Sequence, residues 1–175
     1  NNIDFLNIIR GHIDTDASLT KVIPTQGMRS SPHLDFATEI KIKTKFPVFH
    51  ASKINDIATA RYAVREGKLD MVGMTRAHIA DPHIVKKIIN GMEDNIRPCV
   101  GATYCLDRIY EGHEALCIHN PATGRERFIP HEISIQANHK KNIVIVGAGP
   151  SGLEAAKISS ERGHRVVVFE ASNMP

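Results

Sequence analysis

Three glycines in the C-terminal part of the chain have the spacing of a phosphate-binding turn. Gly147, Gly149 and Gly152 form the pattern G-x-G-x-x-G. The turn follows a short apolar run at 143–146 and opens a helical segment at 153–162. The first glycine permits a sharp turn, the second lets a pyrophosphate approach the backbone, and the third lets helix and strand pack closely. The pattern predicts a dinucleotide site at the helix N-terminus.

An acidic residue at the end of the following strand extends this site. The apolar run 166–169 predicts a second strand, and Glu170 follows it directly. A carboxylate at this point accepts hydrogen bonds from ribose hydroxyls, so the residue favours FAD, NAD or ADP over a 2′-phosphorylated ribose. A glycine-rich turn in an unrelated α/β fold is the alternative interpretation.

Small and basic residues follow two other predicted strands. Ser52 and Lys53 come after one strand, and Thr75 and Arg76 come after the next. In a (β/α)8 barrel, the loops after the last two strands commonly hold a phosphate group. Small residues permit close backbone approach, and basic ones supply charge and hydrogen-bond donors. These residues therefore predict a second phosphate site, the alternative being that Lys53 and Arg76 are solvated surface charges.

The three cysteines form a third candidate site. Cys99, Cys105 and Cys117 have the spacing C-x5-C-x11-C. Iron–sulfur clusters are held by cysteine thiolates, and a cubane cluster normally takes four. A zinc site would need a histidine such as His113 or His119. The spacing alone leaves free thiols, an iron–sulfur cluster and a zinc ion open.

A polar stretch follows the first predicted strand and is too long for a simple connection. Residues 10–33 contain His12 and Asp14, which could act as acid, base or partner for a charged substrate. Aspartates are also common turn-forming residues, because the carboxylate accepts hydrogen bonds from the nearby backbone. A structural role in the loop is therefore the alternative for Asp14.

The segments that must position these residues alternate between strands and helices. Apolar runs predict strands at 3–9, 46–51 and 69–74. Apolar periodicity and capping residues predict helices at 34–44, after Asp56, and after Asp81-Pro82. This order implies a parallel sheet with helical crossovers, and the spacing is that of (β/α)8 units. Because three strands cannot close a barrel, we expect a fragment whose missing strands lie upstream.

Composition excludes several classes of protein. The net charge of +3 is small and the basic residues are scattered, so a nucleic-acid-binding face is not expected. No apolar run reaches the length of a membrane span. Three cysteines are too few for a disulfide scaffold, which indicates a reducing, cytoplasmic setting.

Taken in order, these motifs resemble one family over essentially the whole chain. The family comprises the iron–sulfur flavoenzymes related to old yellow enzyme, among them trimethylamine dehydrogenase and 2,4-dienoyl-CoA reductase. The segments that carry the resemblance are DMVGMTRAHIADP (70–82), DNIRPCVGATYCLDRIYEG (94–112), CIHNPATGRE (117–126) and VIVGAGPSGLEAA (144–156). The resemblance implies the C-terminal part of an FMN-binding (β/α)8 barrel, a cluster segment, a linker and the start of an FAD/NAD(P)-binding domain at 1–96, 97–130, 131–141 and 142–175.

The resemblance also assigns residues to cofactors. It implies that the FMN phosphate is held by Ser52, Lys53, Thr75 and Arg76. It implies a second nucleotide, either FAD or ADP/NAD(P), at Gly147, Ala148, Gly149, Gly152 and Glu170. It makes Cys99, Cys105 and Cys117 three of the four ligands of an iron–sulfur cluster, expected to be 4Fe-4S. It places His12, and Asp14 in the same loop, at the active site.

One position departs from the family pattern. Where the family begins its cluster motif C-x-x-C, the second position is Ala102, which cannot bind iron. Either a non-cysteine residue is the fourth ligand, or the cluster has three irons, or it is weakened or lost. Nearby oxygen and nitrogen donors are Tyr104, Asp107, His113 and His119. We expect the three cysteines still to hold a cluster.

Two segments resemble most closely the branch of the family that demethylates N-methylated amino acids: RGHIDTDASL (10–19) and CVGATYCLDRIYEG (99–112). The implied function is FMN-dependent oxidative N-demethylation, with an electron-transfer protein as acceptor and a homo-oligomeric assembly. An NAD(P)H-dependent reductase of enoyl or 2,4-dienoyl-CoA substrates is one alternative. A non-catalytic nucleotide-binding module is another. The chain alone is expected to be inactive, because it lacks the strands that would surround the flavin ring.

Overall fold

The computed structural model describes residues 2–135 and 139–173, which form two compact units, 1–129 and 130–175. Part of the predicted linker 131–141 lies outside the described residues. In the first unit, strands β1 (Leu6–Ile8), β2 (Val48–Ala51) and β3 (Met71–Gly73) form a parallel sheet in the order β1-β2-β3. The prediction of an α/β fold with parallel strands is therefore confirmed.

Two helices pack against this sheet, and the hydrophobic core lies between them and the strands. The helix α2 (Leu34–Lys43) connects β1 to β2, and α3 (Ile57–Arg65) connects β2 to β3. The helix α3 begins where predicted, because the Asp56 carboxylate accepts a hydrogen bond from the backbone N–H of Thr59 at 2.7 Å. The core consists of Leu34, Ala37, Val48, Ile54, Ala60, Ala63 and Leu69. The alanines let both helices approach the sheet closely.

Four shorter helices lie in the connections of the first unit. They are α1 (Asp16–Val22), α4 (Thr75–Ala80), α5 (Ile84–Ile89) and α6 (Tyr104–Tyr110), with a 3-10 turn at Glu93–Asn95. The helix predicted after Asp81-Pro82 is α5, and it begins at Ile84, two residues later than the sequence indicates. The stretch predicted as a loop at 10–33 contains α1, which begins where the Thr15 hydroxyl accepts from the Ser18 N–H at 3.3 Å.

The second unit is one strand–helix–strand motif. Strands β4 (Asn142–Val146) and β5 (Arg165–Phe169) pair in parallel, and α7 (Pro150–Glu161) connects them. The helix starts three residues earlier than predicted, because Pro150 occupies its first turn, where the missing N–H costs nothing. Across the described part of both units, no helix is both long and apolar enough to cross a membrane.

Candidate cofactor-binding sites

The carboxyl ends of β2 and β3 approach each other closely. Ala51 is paired with Gly73 in the parallel register. A Cβ atom on Gly73 would lie 2.7 Å from the Cβ of Ala51, closer than two carbon atoms can pack. Glycine at this position therefore lets the two strand ends lie close together, one residue before Ser52 and two residues before Thr75.

Two predicted phosphate ligands have buried polar atoms that no described residue satisfies. Ser52 is 7% exposed, and its hydroxyl has no hydrogen-bond partner within the described ranges. Arg76 donates from Nη2 to the Pro24 carbonyl oxygen at 2.8 Å, while its buried Nη1 has no such partner. Buried donors are costly unless they are paired. A hydroxyl and a guanidinium at neighbouring strand ends fit a phosphate group, so the residues present suit the implied FMN phosphate.

The other two predicted phosphate ligands differ from this pattern. The Lys53 ammonium donates to three backbone carbonyls, those of Thr25 at 2.7 Å, Gln26 at 3.0 Å and Met28. These bonds use all three ammonium hydrogens, so the Lys53 side chain holds the 25–28 turn. Thr75 is exposed at the first position of α4. Phosphate binding by Lys53 and Thr75 stays a prediction.

A buried histidine in β2 was missed by the sequence analysis. His50 is 1% exposed, and its Nδ1 lies 2.7 Å from the Ile8 carbonyl oxygen. Burial lowers the pKa of His50; the Ile8 hydrogen bond opposes this shift and nearby His33 adds to it. The ring is therefore neutral near pH 7, with Nδ1 as the donor. Strand alternation gives the signal, because His50 lies on the same face as buried Val48.

The three cysteines line one cavity in the first unit, which has about 340 Å³ of space, part of it open to solvent. All three are free thiols. Burial raises the pKa of the Cys105 thiol, the thiols of Cys99 and Cys117 add to this rise, and the guanidinium of Arg76 opposes it. The fold therefore brings together all three cysteines that the sequence singled out, beside Arg76.

Three side-chain hydrogen bonds hold the segments that carry these cysteines. The Asn55 side chain donates to the Cys99 carbonyl oxygen at 3.4 Å. Asn120 and Thr123 donate to the Ile79 carbonyl oxygen at 3.2 and 2.8 Å, which ties the segment after Cys117 to α4. The residues that line the cavity are therefore positioned by α4, which follows β3, and by the segment that leads from β2 to α3.

A buried aspartate joins the cysteine segment to the helices before it. Asp81 is 3% exposed and accepts from Lys87 Nζ, from the Arg97 N–H at 2.9 Å and from the His83 N–H at 3.0 Å. Burial by itself raises the pKa of this carboxyl. The hydrogen bonds from Lys87, Arg97 and His83 outweigh burial, so the pKa lies below its usual value.

The residues that line the cavity include the thiol donors that an iron–sulfur cluster takes. Among residues 2–135 and 139–173, no three His, Cys, Asp or Glu side chains are placed to hold one metal ion. Thiolates of an iron–sulfur cluster bind different iron atoms, so they stand farther apart than the ligands of one ion. Ala102, Tyr104 and His119 also line the cavity, whereas Asp107 and His113 are not part of its lining.

The predicted acid–base residues are also in contact. His12 Nδ1 lies 3.3 Å from the Asp14 carboxylate, and His12 Nε2 lies 2.8 Å from the Ser18 hydroxyl. The side chains of His12 and Asp14 are 58% and 82% exposed. The arrangement orients the imidazole from both sides and can pass a proton. Ser18 was missed, because its position relative to His12 depends on α1.

The glycine turn of the second unit has the geometry that its spacing predicts. Gly147 has φ +98, and its N–H donates to the Phe169 carbonyl oxygen at 2.7 Å. A Cβ on Gly152 would lie 2.0 Å from the Gly147 carbonyl oxygen, so only glycine permits this packing of α7. A Cβ on Gly149 would meet nothing within 4 Å. The turn therefore presents an open face, as approach of a pyrophosphate requires.

The Glu170 carboxylate is hydrogen-bonded to the backbone of this turn. It accepts from the Ala148 N–H at 2.7 Å, and from the Ser172 N–H and hydroxyl at 2.9 and 3.1 Å. Hydrogen bonds from Ser172 and Ala148 lower the pKa of Glu170 to about 2. The carboxylate is therefore ionised at neutral pH, and its contact with a ribose stays a prediction.

Together these features define a mixed α/β chain in which a parallel sheet, with buried polar groups at its strand ends, precedes a glycine-rich strand–turn–helix motif. A family model described as an NAD(P)-binding Rossmann-like domain matches residues 145–175. The chain is 65% identical, over 99% of its length, to the "Probable N-methylproline demethylase" of Rhizobium meliloti (strain 1021). It is 52% identical, over 97% of its length, to the "Multifunctional alkene reductase/demethylase OYE" of Caballeronia cordobensis.

Solved structures show the same relationship. Histamine dehydrogenase from Rhizobium sp. 4-9 matches 98% of the chain with a TM-score of 0.85 and 25% identity, over 24% of its own length. The 6-hydroxypseudooxynicotine amine oxidase of Pseudomonas geniculata N1 matches 87% of the chain with a TM-score of 0.81 and 28% identity, over 24% of its own length. The chain spans 25% and 24% of the length of the relatives from Rhizobium meliloti and Caballeronia cordobensis. It belongs to the family of flavoenzymes related to old yellow enzyme and the amine dehydrogenases.

Proposed function

We propose that the protein is an FMN-dependent oxidoreductase that removes a methyl group oxidatively from an N-methylated amino acid or amine. The observation that carries this proposal is the 65% identity, over 99% of the chain, to a protein named as an N-methylproline demethylase. Relatives named as an N,N-dimethylglycine/sarcosine dehydrogenase and a dimethylamine dehydrogenase point to the same bond type, at 45% and 33% identity. All of these substrates carry a methyl group on nitrogen.

The proposed architecture follows the family. Residues 1–96 are the C-terminal part of a (β/α)8 barrel, 97–130 the cluster segment, 131–141 a linker and 142–175 the start of the second nucleotide domain. The three parallel strands with helical crossovers and the match to histamine dehydrogenase support the barrel. The glycine turn and the Rossmann-like match support the nucleotide domain.

Ser52 and Arg76 are the proposed ligands of the FMN phosphate, together with Lys53 and Thr75. The buried, unsatisfied Ser52 hydroxyl and Arg76 Nη1 support this role, since a phosphate would satisfy both. Lys53 contributes by holding the 25–28 turn. This turn directly follows Pro24, whose carbonyl oxygen accepts a hydrogen bond from Arg76. FMN, when bound, supplies the acceptor for the hydride that leaves the N-methyl carbon.

His12 and Asp14 are the proposed acid–base residues. Loss of hydride from the N–CH₃ group gives an iminium, and addition of water to its carbon yields formaldehyde and the demethylated amine. His12 is the proposed acceptor of the proton that this water loses, and Asp14, 3.3 Å from its Nδ1, orients the ring.

Cys99, Cys105 and Cys117 are the proposed cluster ligands, supported by their shared cavity beside Arg76. The cluster, when bound, supplies one-electron transfer away from the flavin. Gly147, Ala148, Gly149, Gly152 and Glu170 are proposed to bind FAD or ADP/NAD(P). An electron-transfer protein as final acceptor, a homo-oligomeric assembly and a cytoplasmic location complete the proposal; the free thiols support a reducing compartment.

A second candidate function is reduction of an alkene conjugated to a carbonyl, with NAD(P)H as the electron donor. The relative from Caballeronia cordobensis is named for both alkene reduction and demethylation, and a cinnamate reductase of Clostridium sporogenes is 31% identical. Both reactions use the same flavin and differ in the direction of hydride transfer.

Anaerobic flavin titration of the full-length protein separates the two functions. We expect N-methylproline, sarcosine or dimethylamine to bleach the oxidised flavin, and NAD(P)H alone to leave it oxidised. Bleaching by NAD(P)H alone, followed by reoxidation with an enoyl substrate, would replace the demethylase proposal with the reductase. Purified full-length protein without FMN or iron would favour a non-catalytic nucleotide-binding module.

A further inference from the structure

The cysteine cavity contains a nitrogen donor that the sequence alone could not single out. His119 lines the same cavity as Cys99, Cys105 and Cys117. Ala102, which replaces the fourth cysteine of the family pattern, lines it too and offers no donor atom. A cubane cluster with four ligands needs one side chain from elsewhere in this wall.

The hydrogen bond of His119 fixes which ring nitrogen is available. Its Nδ1 lies 2.9 Å from the Pro98 carbonyl oxygen. A carbonyl oxygen can only accept, so Nδ1 carries the hydrogen and the neutral ring has its lone pair on Nε2. Histidines that bind metals in proteins typically donate their other N–H to a backbone carbonyl or carboxylate in this way. The Pro98 contact also joins His119 to the residue before Cys99.

The other donors named from the sequence are less suited. Asp107 and His113 lie outside the lining of the cavity. Tyr104 is part of the lining, but it is 39% exposed and its ring lies 6.0 Å from the Arg108 guanidinium. A phenol must also lose its hydroxyl proton before it binds iron as phenolate, whereas an imidazole with Nδ1 protonated offers the lone pair on Nε2 directly.

We propose that His119 Nε2 is the fourth ligand of the iron–sulfur cluster, in place of the cysteine replaced by Ala102. The proposal rests on the cluster in the proposed function, but not on the identity of the substrate. A neutral imidazole carries one negative charge less than a thiolate, so the cluster is expected to have a higher reduction potential than a four-cysteine cluster.

The test uses the full-length protein, purified anaerobically, with His119→Ala, His119→Cys and the matched control His113→Ala. Iron and acid-labile sulfide are counted, the reduction potential is measured by redox titration, and pulsed EPR of the reduced cluster reports coupling to a histidine nitrogen. We expect nitrogen coupling in the unaltered protein and in His113→Ala. Loss of that coupling and a lower potential are expected in His119→Cys, with iron and sulfide retained.

His119→Ala separates a ligand from a packing residue. We expect its iron content to fall from about four to about three per chain, or the cluster to be lost, with FMN content unchanged. Iron content, potential and EPR identical to those of the unaltered protein would overturn the proposal, as would an unaltered protein without iron or sulfide. Flavin bleaching by N-methylproline is recorded separately, so the demethylase proposal can fail while the His119 ligand stands, and the reverse.

Discussion

Arg76 donates from Nη2 to the Pro24 carbonyl oxygen at 2.8 Å, while its Nη1 is buried without a partner among the described residues. The first bond holds the guanidinium at the end of β3. A buried N–H without a partner destabilises the fold, so a bound anion that accepts from Nη1 would be stabilising. Arg76 also lines the cysteine cavity, so one side chain borders both proposed cofactor sites.

Replacing Arg76 by glutamine should weaken FMN binding. Loss of a charged hydrogen bond costs about 1.5–3 kcal/mol, which corresponds to about 10- to 150-fold in the dissociation constant. Fluorescence titration of flavin-free full-length protein with FMN measures the change. Arg65→Gln, in the exposed last turn of α3, is the matched control and should bind FMN normally. Equal affinities for both variants would exclude Arg76 from the phosphate site.

Replacing Lys53 by methionine should loosen the 25–28 turn. Methionine keeps most of the side-chain volume but leaves the carbonyls of Thr25, Gln26 and Met28 without their donor. We expect amide hydrogen exchange in this segment to accelerate at least tenfold, a change of about 1.4 kcal/mol. The same substitution at exposed Lys45 is the control. Unchanged exchange in Lys53→Met would show that the ammonium does not hold the turn.

The two glycines of the nucleotide turn should respond differently to alanine. In Gly152→Ala the new Cβ would lie 2.0 Å from the Gly147 carbonyl oxygen, so the second unit should lose more than about 2 kcal/mol of stability. In Gly149→Ala the Cβ meets no atom within 4 Å, and stability should change by less than about 1 kcal/mol.

Nucleotide binding distinguishes the roles of these two positions. Gly149→Ala should bind ADP at least about tenfold more weakly, because its methyl group occupies the approach of the pyrophosphate. Calorimetric titration with ADP and urea unfolding of both variants provide the measurements. A Gly149→Ala variant that binds ADP normally would contradict the proposed site.

Replacing Asp81 by asparagine should destabilise the protein in a pH-dependent way. The carboxylate joins Lys87 and the Arg97 N–H, and losing these charged hydrogen bonds should cost about 2 kcal/mol at pH 7. The pKa of Asp81 is lower in the folded protein than in the unfolded chain. Its stabilising effect is therefore fully present above the unfolded pKa of about 3.9, and is lost as the pH falls through the folded pKa.

Urea unfolding at a series of pH values from 7 to 3 tests whether the stabilisation by Asp81 is lost as the pH falls. The difference in stability between the unaltered protein and Asp81→Asn should be constant from pH 7 to about 5 and shrink below about pH 4. Asp94→Asn, on the exposed surface of the 3-10 turn, is the control and should leave stability within about 0.5 kcal/mol. A difference that stays the same at pH 3 would mean that the ionised carboxylate is not what stabilises this junction.

The features that local sequence determines could be predicted. Apolar runs located the strands, Asp56 located the start of α3, and the glycine spacing located the turn at Gly147. Short helices were missed, since α1, α4 and α6 have only six or seven residues and no sustained periodicity. The helix α6 follows Thr103, whose φ of +62 is a left-handed conformation that the sequence does not indicate.

Contacts between distant segments could not be predicted. The sequence correctly grouped the cysteines, but the choice of His119 depends on its bond to Pro98, 21 residues earlier. Lys53 is predicted as a phosphate ligand because it is basic and follows a strand. The sequence does not indicate that its ammonium also donates to carbonyls 25 to 28 positions earlier in the chain, a contact that exists only once the sheet has formed.

Oxidation of an N-methyl group by the full-length protein can be measured in a single turnover. Full-length enzyme with oxidised FMN is mixed anaerobically with N-methylproline, and reduced flavin, formaldehyde and proline are quantified together. We predict about one formaldehyde and one proline for each two-electron reduction, because hydride loss and iminium hydrolysis each occur once per turnover. Flavin that stays oxidised, or flavin that is reduced without formaldehyde, would rule out oxidative N-demethylation.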